Sequence, residues 1–450
     1  MAGCMAIKIK DFILSGLGNS NFSFVKDLWS SLIVRRFADI FSVDILVRAS
    51  AFIFLPIYLS LMTKDEFGLY GYLISIISSF SLILGFGLYV PQIKMYHDYD
   101  DEMKRGEALF TLNFSLLILL SIVICVVYLY ELDFIAVRLL FKNNIKYADY
   151  RIYVLSTVIV SVFGLMLYSF FLASENIRIV KLYNILKFFA GNIIVIAALY
   201  FIAHKDSVLI RIEYSLLAEA CLLCVFGYLF VKKMVPSLRL DILTRSLKIG
   251  IPVMLSALLN MFYNLSDRFF LEKYHNFEAL AVYNLGLAFS SIIPIIMTSF
   301  QAIYAPIFFK EKDARLNLRR VNRVAILAII AFLLISAGII VMTKIMILNG
   351  IIRKGYNQVT LLLPILLIAS ITMALSQLYQ NFMVYFEVTH IMLVFFMFTN
   401  IICVIFSMLL IPRFGIYGAA SAVAISGSFS LIMHYIFVVK RDQRSDAHSL

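Results

Sequence analysis

The sequence predicts an all-α polytopic membrane protein of about twelve transmembrane helices, and three observations carry that prediction. Of the 450 residues, 62% are hydrophobic and only 15% charged, where soluble domains run nearer half and a quarter. Mean hydropathy is +0.94, more apolar surface than a water-soluble fold can hide. Apolar runs of the roughly 17–25 residues needed to cross a bilayer recur along the whole chain, and cations gather in alternate connections between them.

Taken in order, residues 1–37 mix Lys8, Lys10, Asp11, Lys26 and Asp27 with apolar residues and hold the single Trp29. No apolar core followed by a small-residue cleavage site is present, so the stretch reads as a cytosolic and interfacial segment, with no signal peptide. Six spans follow near 38–62, 68–93, 107–130, 150–172, 181–203 and 209–231. Six more lie near 248–271, 280–304, 322–344, 357–381, 389–411 and 416–438. The organisation read from this is an N-lobe at 38–231, a cytosolic linker at 232–247, a C-lobe at 248–438 and a cytosolic tail at 439–450. The connections are too short for an extramembrane domain.

Orientation follows from the cations. With the N-terminus inside, about 24 Lys and Arg fall in cytoplasmic connections, from Lys8 through Arg444, against about 10 outside, from Lys64 to Arg413. The formal net charge of +12 is thus a positive-inside signature rather than a nucleic-acid surface, and both termini face the cytoplasm. The halves also echo each other. Phe67-Gly68-Leu69-Tyr70 opens the second span and Leu280-Ala281-Val282-Tyr283 the eighth. Tyr89-Val90-Pro91 is matched by Tyr304-Ala305-Pro306, and Glu175 with Asn192-Ile193-Ile194 by Glu387 with Asn400-Ile401-Ile402. An even number of helices per half relates the repeats by an axis along the membrane normal.

Polar groups inside the spans mark candidate function, because a lone charge at mid-bilayer costs roughly 2.5–3.5 kcal/mol on insertion scales. Asp44 and Arg48 stack one turn apart in the first span, either as a self-satisfying ion pair or as an anion site tuned by the acid. Asn184, Lys187 and Gly191 share a face of the fifth, where Lys187 either snorkels or faces a cavity. Ser256, Asn260, Asn264 and Asp267, with Arg268 beside them, form a polar stripe on the seventh, the pattern of a water-lined wall or of interhelical hydrogen bonding. The eighth carries Ser291, Pro294, Thr298 and Gln301, and the tenth Ser370, Gln377, Gln380 and Asn381. Glu219 stands alone in the sixth as a candidate proton carrier. Asp44, Glu219 and Asp267 are the carboxylates placed to couple an ion. His434 reads as a packed histidine.

No P-loop, HExxH, nucleophile elbow, Asp-rich pair or His cluster occurs in the sequence, so neither an enzyme nor a cofactor or metal is expected. The five cysteines, including the CxxC-spaced Cys221 and Cys224, lack ligand neighbours and read as buried thiols.

Three stretches carry a resemblance. The first runs from Leu55-Pro56 through Phe67-Gly68-Leu69-Tyr70 to Gly85-Phe86-Gly87-Leu88. The second runs from Ile249-Gly250-Ile251-Pro252 through Asp267-Arg268-Phe269-Phe270-Leu271 to Tyr304-Ala305-Pro306. The third is Leu410-Ile411-Pro412-Arg413-Phe414-Gly415-Ile416-Tyr417-Gly418-Ala419-Ala420. In order and spacing they resemble the polysaccharide flippase family of the multidrug/oligosaccharidyl-lipid/polysaccharide exporter superfamily. The resemblance implies two pseudo-symmetric six-helix lobes around a central cavity that opens alternately to each side. It also implies transfer of an undecaprenyl-pyrophosphate-linked oligosaccharide, for O-antigen or capsule, across the cytoplasmic (inner) membrane. A cationic cavity would receive the pyrophosphate. Arg268, in its Asp-Arg-Phe motif, carries over directly, with Arg48 and Lys187 as further cations and Asn260, Asn264, Gln377 and Asn381 as polar walls. The partners expected are the lipid-linked oligosaccharide, membrane lipids and the glycan polymerase machinery, with no nucleic acid and a monomeric carrier. A cation-coupled multidrug exporter shares this architecture but would carry acids and aromatics in place of cavity cations. A membrane-embedded glycan polymerase would show a large outer loop.

Overall fold

A computed structural model describes residues 53–142, 145–202, 206–311 and 313–447. Among the described residues every regular element is helical, as hydrocarbon demands of a chain that must satisfy its own backbone groups. Helix α1 covers 53–61. It is followed by α2 (Lys64–Leu84), α3 (Tyr89–Asp98), α4 (Glu102–Leu129), α5 (Leu132–Leu140), α6 (Tyr147–Ala173), α7 (Ile177–Phe201) and α8 (Ser207–Val231). The second half comprises α9 (Leu240–Tyr274), α10 (Phe277–Ser290), α11 (Ile292–Lys310) and α12 (Ala314–Leu348). A short 3₁₀ turn (Lys354–Tyr356) leads to α13 (Val359–Tyr385), α14 (Thr389–Phe414) and α15 (Ile416–Ala447).

Eleven helical segments among the described residues are long and apolar enough to cross a membrane. They fall one for one on the second to twelfth expected spans. The first, at 38–62, is described only from residue 53, so Asp44, Arg48 and the 1–37 segment lie outside the described residues. Helix starts are set by local chemistry. Thr63 and Glu66 form a reciprocal capping box before α2, and Asp101, Asn176, Asp206, Asn276 and Asp313 each accept a backbone N–H at the start of α4, α7, α8, α10 and α12. These side chains take up N–H groups that would otherwise be orphaned at a membrane surface.

Two helices outrun their apolar runs. Both α9 and α12 have 35 residues, about 52 Å at 1.5 Å per residue against a hydrocarbon core of about 30 Å. Helix α9 therefore begins at Leu240, inside the stretch read as a linker. Its first turns dock on the preceding half: Arg245 pairs with Asp98 at 2.9 Å and Arg239 with the buried Glu107 at 3.1 Å.

The sequence echoes recur as geometry. The second span of each half is broken, α2/α3 at Gly85–Leu88 and α10/α11 at Ser291. Glu175 (φ 52) and Glu387 (φ 58), two of the echoed residues, each adopt a left-handed conformation just past α6 and α13. Each donates its N–H three residues back, to the carbonyls of Leu172 and Val384. Left-handed backbone is costly for a residue with a Cβ, so its recurrence at matched turns reflects duplication rather than composition.

Candidate functional site

The halves meet along a seam between α2 and α10 at their N-terminal ends. Side chains there are small enough for backbones to touch, the usual device of helix packing in lipid. A Cβ on Gly68 would lie 1.9 Å from the Phe277 carbonyl oxygen, and one on Gly71 would lie 2.3 Å from Asn284 Nδ2. Further ties close the same side. Arg353 donates to the Ser60 carbonyl at 2.5 Å, Lys64 pairs with Glu278 at 3.5 Å, and the Lys142 N–H donates to Glu272 at 2.7 Å.

Arg268 sits at this seam. It lies six residues before the end of α9, about 9 Å along the axis, and Asn284 is at a matching depth on α10. Its Nε donates to Asn284 Oδ1 at 3.2 Å and another guanidinium nitrogen donates to the Asn264 carbonyl at 2.6 Å. These acceptors are neutral. The adjacent Asp267 is buried and accepts the Tyr283 hydroxyl at 2.5 Å and the Arg268 backbone N–H at 2.7 Å. Among the described residues no carboxylate forms an ion pair with the Arg268 guanidinium, which is partly exposed. Ser256 and Asn264 are exposed and Asn260 half-buried on α9. Ser256 bonds only back to the Pro252 carbonyl within its own helix. Three polar side chains, Ser256, Asn260 and Asn264, therefore climb one helix toward a cation held by amide oxygens.

Lys187 and Glu219, singled out separately on the fifth and sixth spans, are partners: Lys187 Nζ lies 3.0 Å from Glu219 Oε1. Glu219 does not stand alone. Candidates on the tenth span divide. Asn381 donates to Gln301 Oε1 at 3.0 Å, which ties α13 to α11, and Gln377 is half-buried on the same helix. His434 is packed, as expected, its Nδ1 2.7 Å from the Ser430 carbonyl. Cys221 and Cys224 are exposed on α8 rather than buried; thiols are apolar enough to face hydrocarbon directly.

Two residues escaped the sequence reading. Asn284 sits in an apolar run with no periodic polar partner. The repeat could have revealed it, since matching Phe67 with Leu280 places Gly71 opposite Asn284. Arg211 lies near the start of α8 with its guanidinium between the rings of Tyr58 and Tyr70, at 3.7 and 3.8 Å from their centroids. Tyr58 in turn donates to Asn192 Oδ1 at 2.9 Å. Cation–π contact on two sides stabilises a charge near the bilayer edge without a carboxylate, a device that leaves no charge pattern in the sequence.

The helix order and the eleven long apolar segments among the described residues define a multi-pass helical membrane protein with broken second and eighth spans. The chain belongs to the polysaccharide biosynthesis protein family, whose pattern it matches over residues 33–312. Comparison with curated sequences gives no match. Among solved structures, the fold is similar to an inward-facing multidrug resistance MATE family transporter of the MOP superfamily. That likeness has a TM-score of 0.71 at 14% identity, over 90% of this chain and 100% of that one. It is also similar to the lipid II flippase MurJ in an inward closed conformation, with a TM-score of 0.67 at 14% identity over 88% and 87% of the two chains. An outward-facing MATE structure gives 0.60 at 14% identity, over 91% and 95%.

Proposed function

We propose that this protein is a flippase that moves an undecaprenyl-pyrophosphate-linked oligosaccharide from the inner to the outer leaflet of the cytoplasmic membrane, for O-antigen or capsular polysaccharide. The observation that carries the reading is Arg268, a guanidinium at the closed seam whose bonds go to neutral oxygens. An ionised phosphate in hydrocarbon costs many kcal/mol, and a guanidinium whose hydrogen bonds among the described residues go to neutral oxygens, at the apex of a polar face, offsets that penalty. Guanidinium also offers the forked donors that phosphate oxygens accept. Asn260 and Asn264 would meet sugar hydroxyls, with Gln377 and Asn381 as the C-lobe wall and Arg48 and Lys187 as cations of the N-lobe.

In the proposed cycle the carrier loads from the cytosol while the α2–α10 seam is shut. The lobes, 38–231 and 248–438, then rock so that the seam parts and the sugar is released outside. Family membership in polysaccharide biosynthesis supports this reading; in it both termini and the cation-rich connections face the cytoplasm. The carrier works as a monomer, hands its cargo to a glycan polymerase and carries out no bond chemistry. Asp44 and Asp267 are the carboxylates proposed for ion coupling.

Purified protein in proteoliposomes, given fluorescent undecaprenyl-pyrophosphate oligosaccharide in one set and a cationic dye in another, tests the reading. Movement of the sugar lipid without dye export is expected. Dye export without sugar-lipid movement would replace the proposal with a multidrug exporter.

A further inference from the structure

Lys187 and Glu219 sit deep in the membrane. Lys187 is ten residues into α7, about 15 Å, and Glu219 is twelve residues from either end of α8, about 18 Å. Their side chains are 42% and 28% exposed, so the pair is open to something other than protein. Helix geometry says what that something is not. The exposed apolar stripe of α8 runs through Leu217, Val225 and Tyr228, together with exposed Cys221. At 100° per residue, Glu219 is about 200° from both Leu217 and Cys221. On α7 the exposed large apolar residues are Leu182, Leu186, Ile193, Tyr200 and Phe201. Lys187 lies about 100° or more from the first four, and about 40° from Phe201, which is about 21 Å further along the helix. Glu219 therefore points away from the Leu217–Cys221 face of α8, and Lys187 points away from the exposed apolar residues at its own level of α7, Leu182 and Leu186. One turn outward from Lys187, a Cβ on Gly191 would meet nothing within 4 Å, so the space beside the ammonium is open. Tyr183, one turn inward and buried, is the other titratable group beside the pair among the described residues.

We infer that Glu219 is an internal stand-in for the cargo's phosphate, which occupies Lys187 when the carrier is empty and is displaced when cargo binds. This rests on the flippase reading and deepens it. A lysine left bare at this depth would be costly, and breaking a desolvated ion pair leaves an uncompensated charge. A lysine free to grip a pyrophosphate would also hold it too tightly for release. A carboxylate 3.0 Å away resolves both problems. It neutralises the ammonium between cycles, and it competes for the ammonium at the release step. Glu219 is thus a positioning residue that weakens binding in order to permit turnover.

The test is binding of farnesyl pyrophosphate to the full-length protein in nanodiscs, with inorganic pyrophosphate as the free-anion arm, alongside sugar-lipid flipping in proteoliposomes. Glu219→Gln is expected to bind farnesyl pyrophosphate about tenfold more tightly than the unaltered protein while flipping more slowly. The double variant Lys187→Ala/Glu219→Gln, which leaves no orphaned charge, is expected to lose that gain. Glu219→Asp, which keeps the charge but retracts it by one methylene, should fall between and serves if the Gln variant does not fold. A purely structural pair predicts weaker or unchanged binding in Glu219→Gln. That result, or a gain retained in the double variant, overturns the inference alone. Absence of farnesyl pyrophosphate binding to every variant, with no sugar-lipid flipping, overturns the flippase reading and this inference with it.

Discussion

Replacing Gly68 with alanine tests whether the α2–α10 seam is a working gate. The added Cβ would sit 1.9 Å from the Phe277 carbonyl oxygen, 2.8 Å from its carbon and 3.0 Å from the Ala281 nitrogen. Real Cβ contacts essentially never fall under 3.0 Å, and all three obstacles are backbone, so no rotamer change relieves them. The helices must part by about 1 Å or more, or the seam stays open. Overpacking of this kind costs about 1–3 kcal/mol. Because the cost falls only on the seam-closed state, it shifts the equilibrium between conformations by about 5- to 150-fold. Spin labels at Lys146→Cys and Lys354→Cys, in the connections just before α6 and α13, report the separation in a cysteine-free background. The variant is expected to show a longer distance and reduced flipping. Unchanged distances with full transport would refute the gate. Glu278→Gln, which removes only the half-exposed ion pair with Lys64 at the same seam, should change either readout by less than about 1 kcal/mol equivalent.

Two further substitutions probe the framework. Arg239→Ala leaves the buried Glu107 carboxylate without its 3.1 Å partner. Because Arg239 is itself half exposed, the loss should be about 1–2 kcal/mol, seen as a lower midpoint in thermal circular dichroism and relieved by adding Glu107→Gln. Gly415→Ala forces a Cβ onto the α14–α15 turn at φ 56 and ψ −128, 3.3 Å from the His275 ring. That strain is worth about 1–3 kcal/mol, and the same melting measurement should show it, while a variant as stable as the parent would contradict it.

Much of this architecture is legible from composition, because a helix in hydrocarbon needs an apolar run of fixed length. That is why the second to twelfth spans fall on observed helices. The overhangs of α9 and α12 were not legible, since polar turns beyond the hydrocarbon look like loop in a hydropathy reading. The echo between Phe67-Gly68-Leu69-Tyr70 and Leu280-Ala281-Val282-Tyr283 carried more than duplication. Those two stretches pack on each other, with Gly68 against Ala281 and Gly71 against Asn284, so the repeat also located the seam. The Lys187–Glu219 partnership could not be read from the sequence, because periodicity places residues on faces but does not say which faces of different helices meet. The Arg211 sandwich was hidden for a related reason: its stabilising groups are tyrosines from α1 and α2, common residues that signal nothing until the fold brings them together.

The most direct test of the central claim compares the unaltered protein with Arg268→Ala for the rate at which a fluorescent undecaprenyl-pyrophosphate oligosaccharide crosses a proteoliposome membrane. Losing charge-assisted bonds to phosphate, at about 1.5–3 kcal/mol, predicts a fall of roughly 10- to 150-fold in flipping at limiting substrate, with the protein still folded. Equal rates for the two proteins would contradict the assignment of Arg268 to the cargo's pyrophosphate.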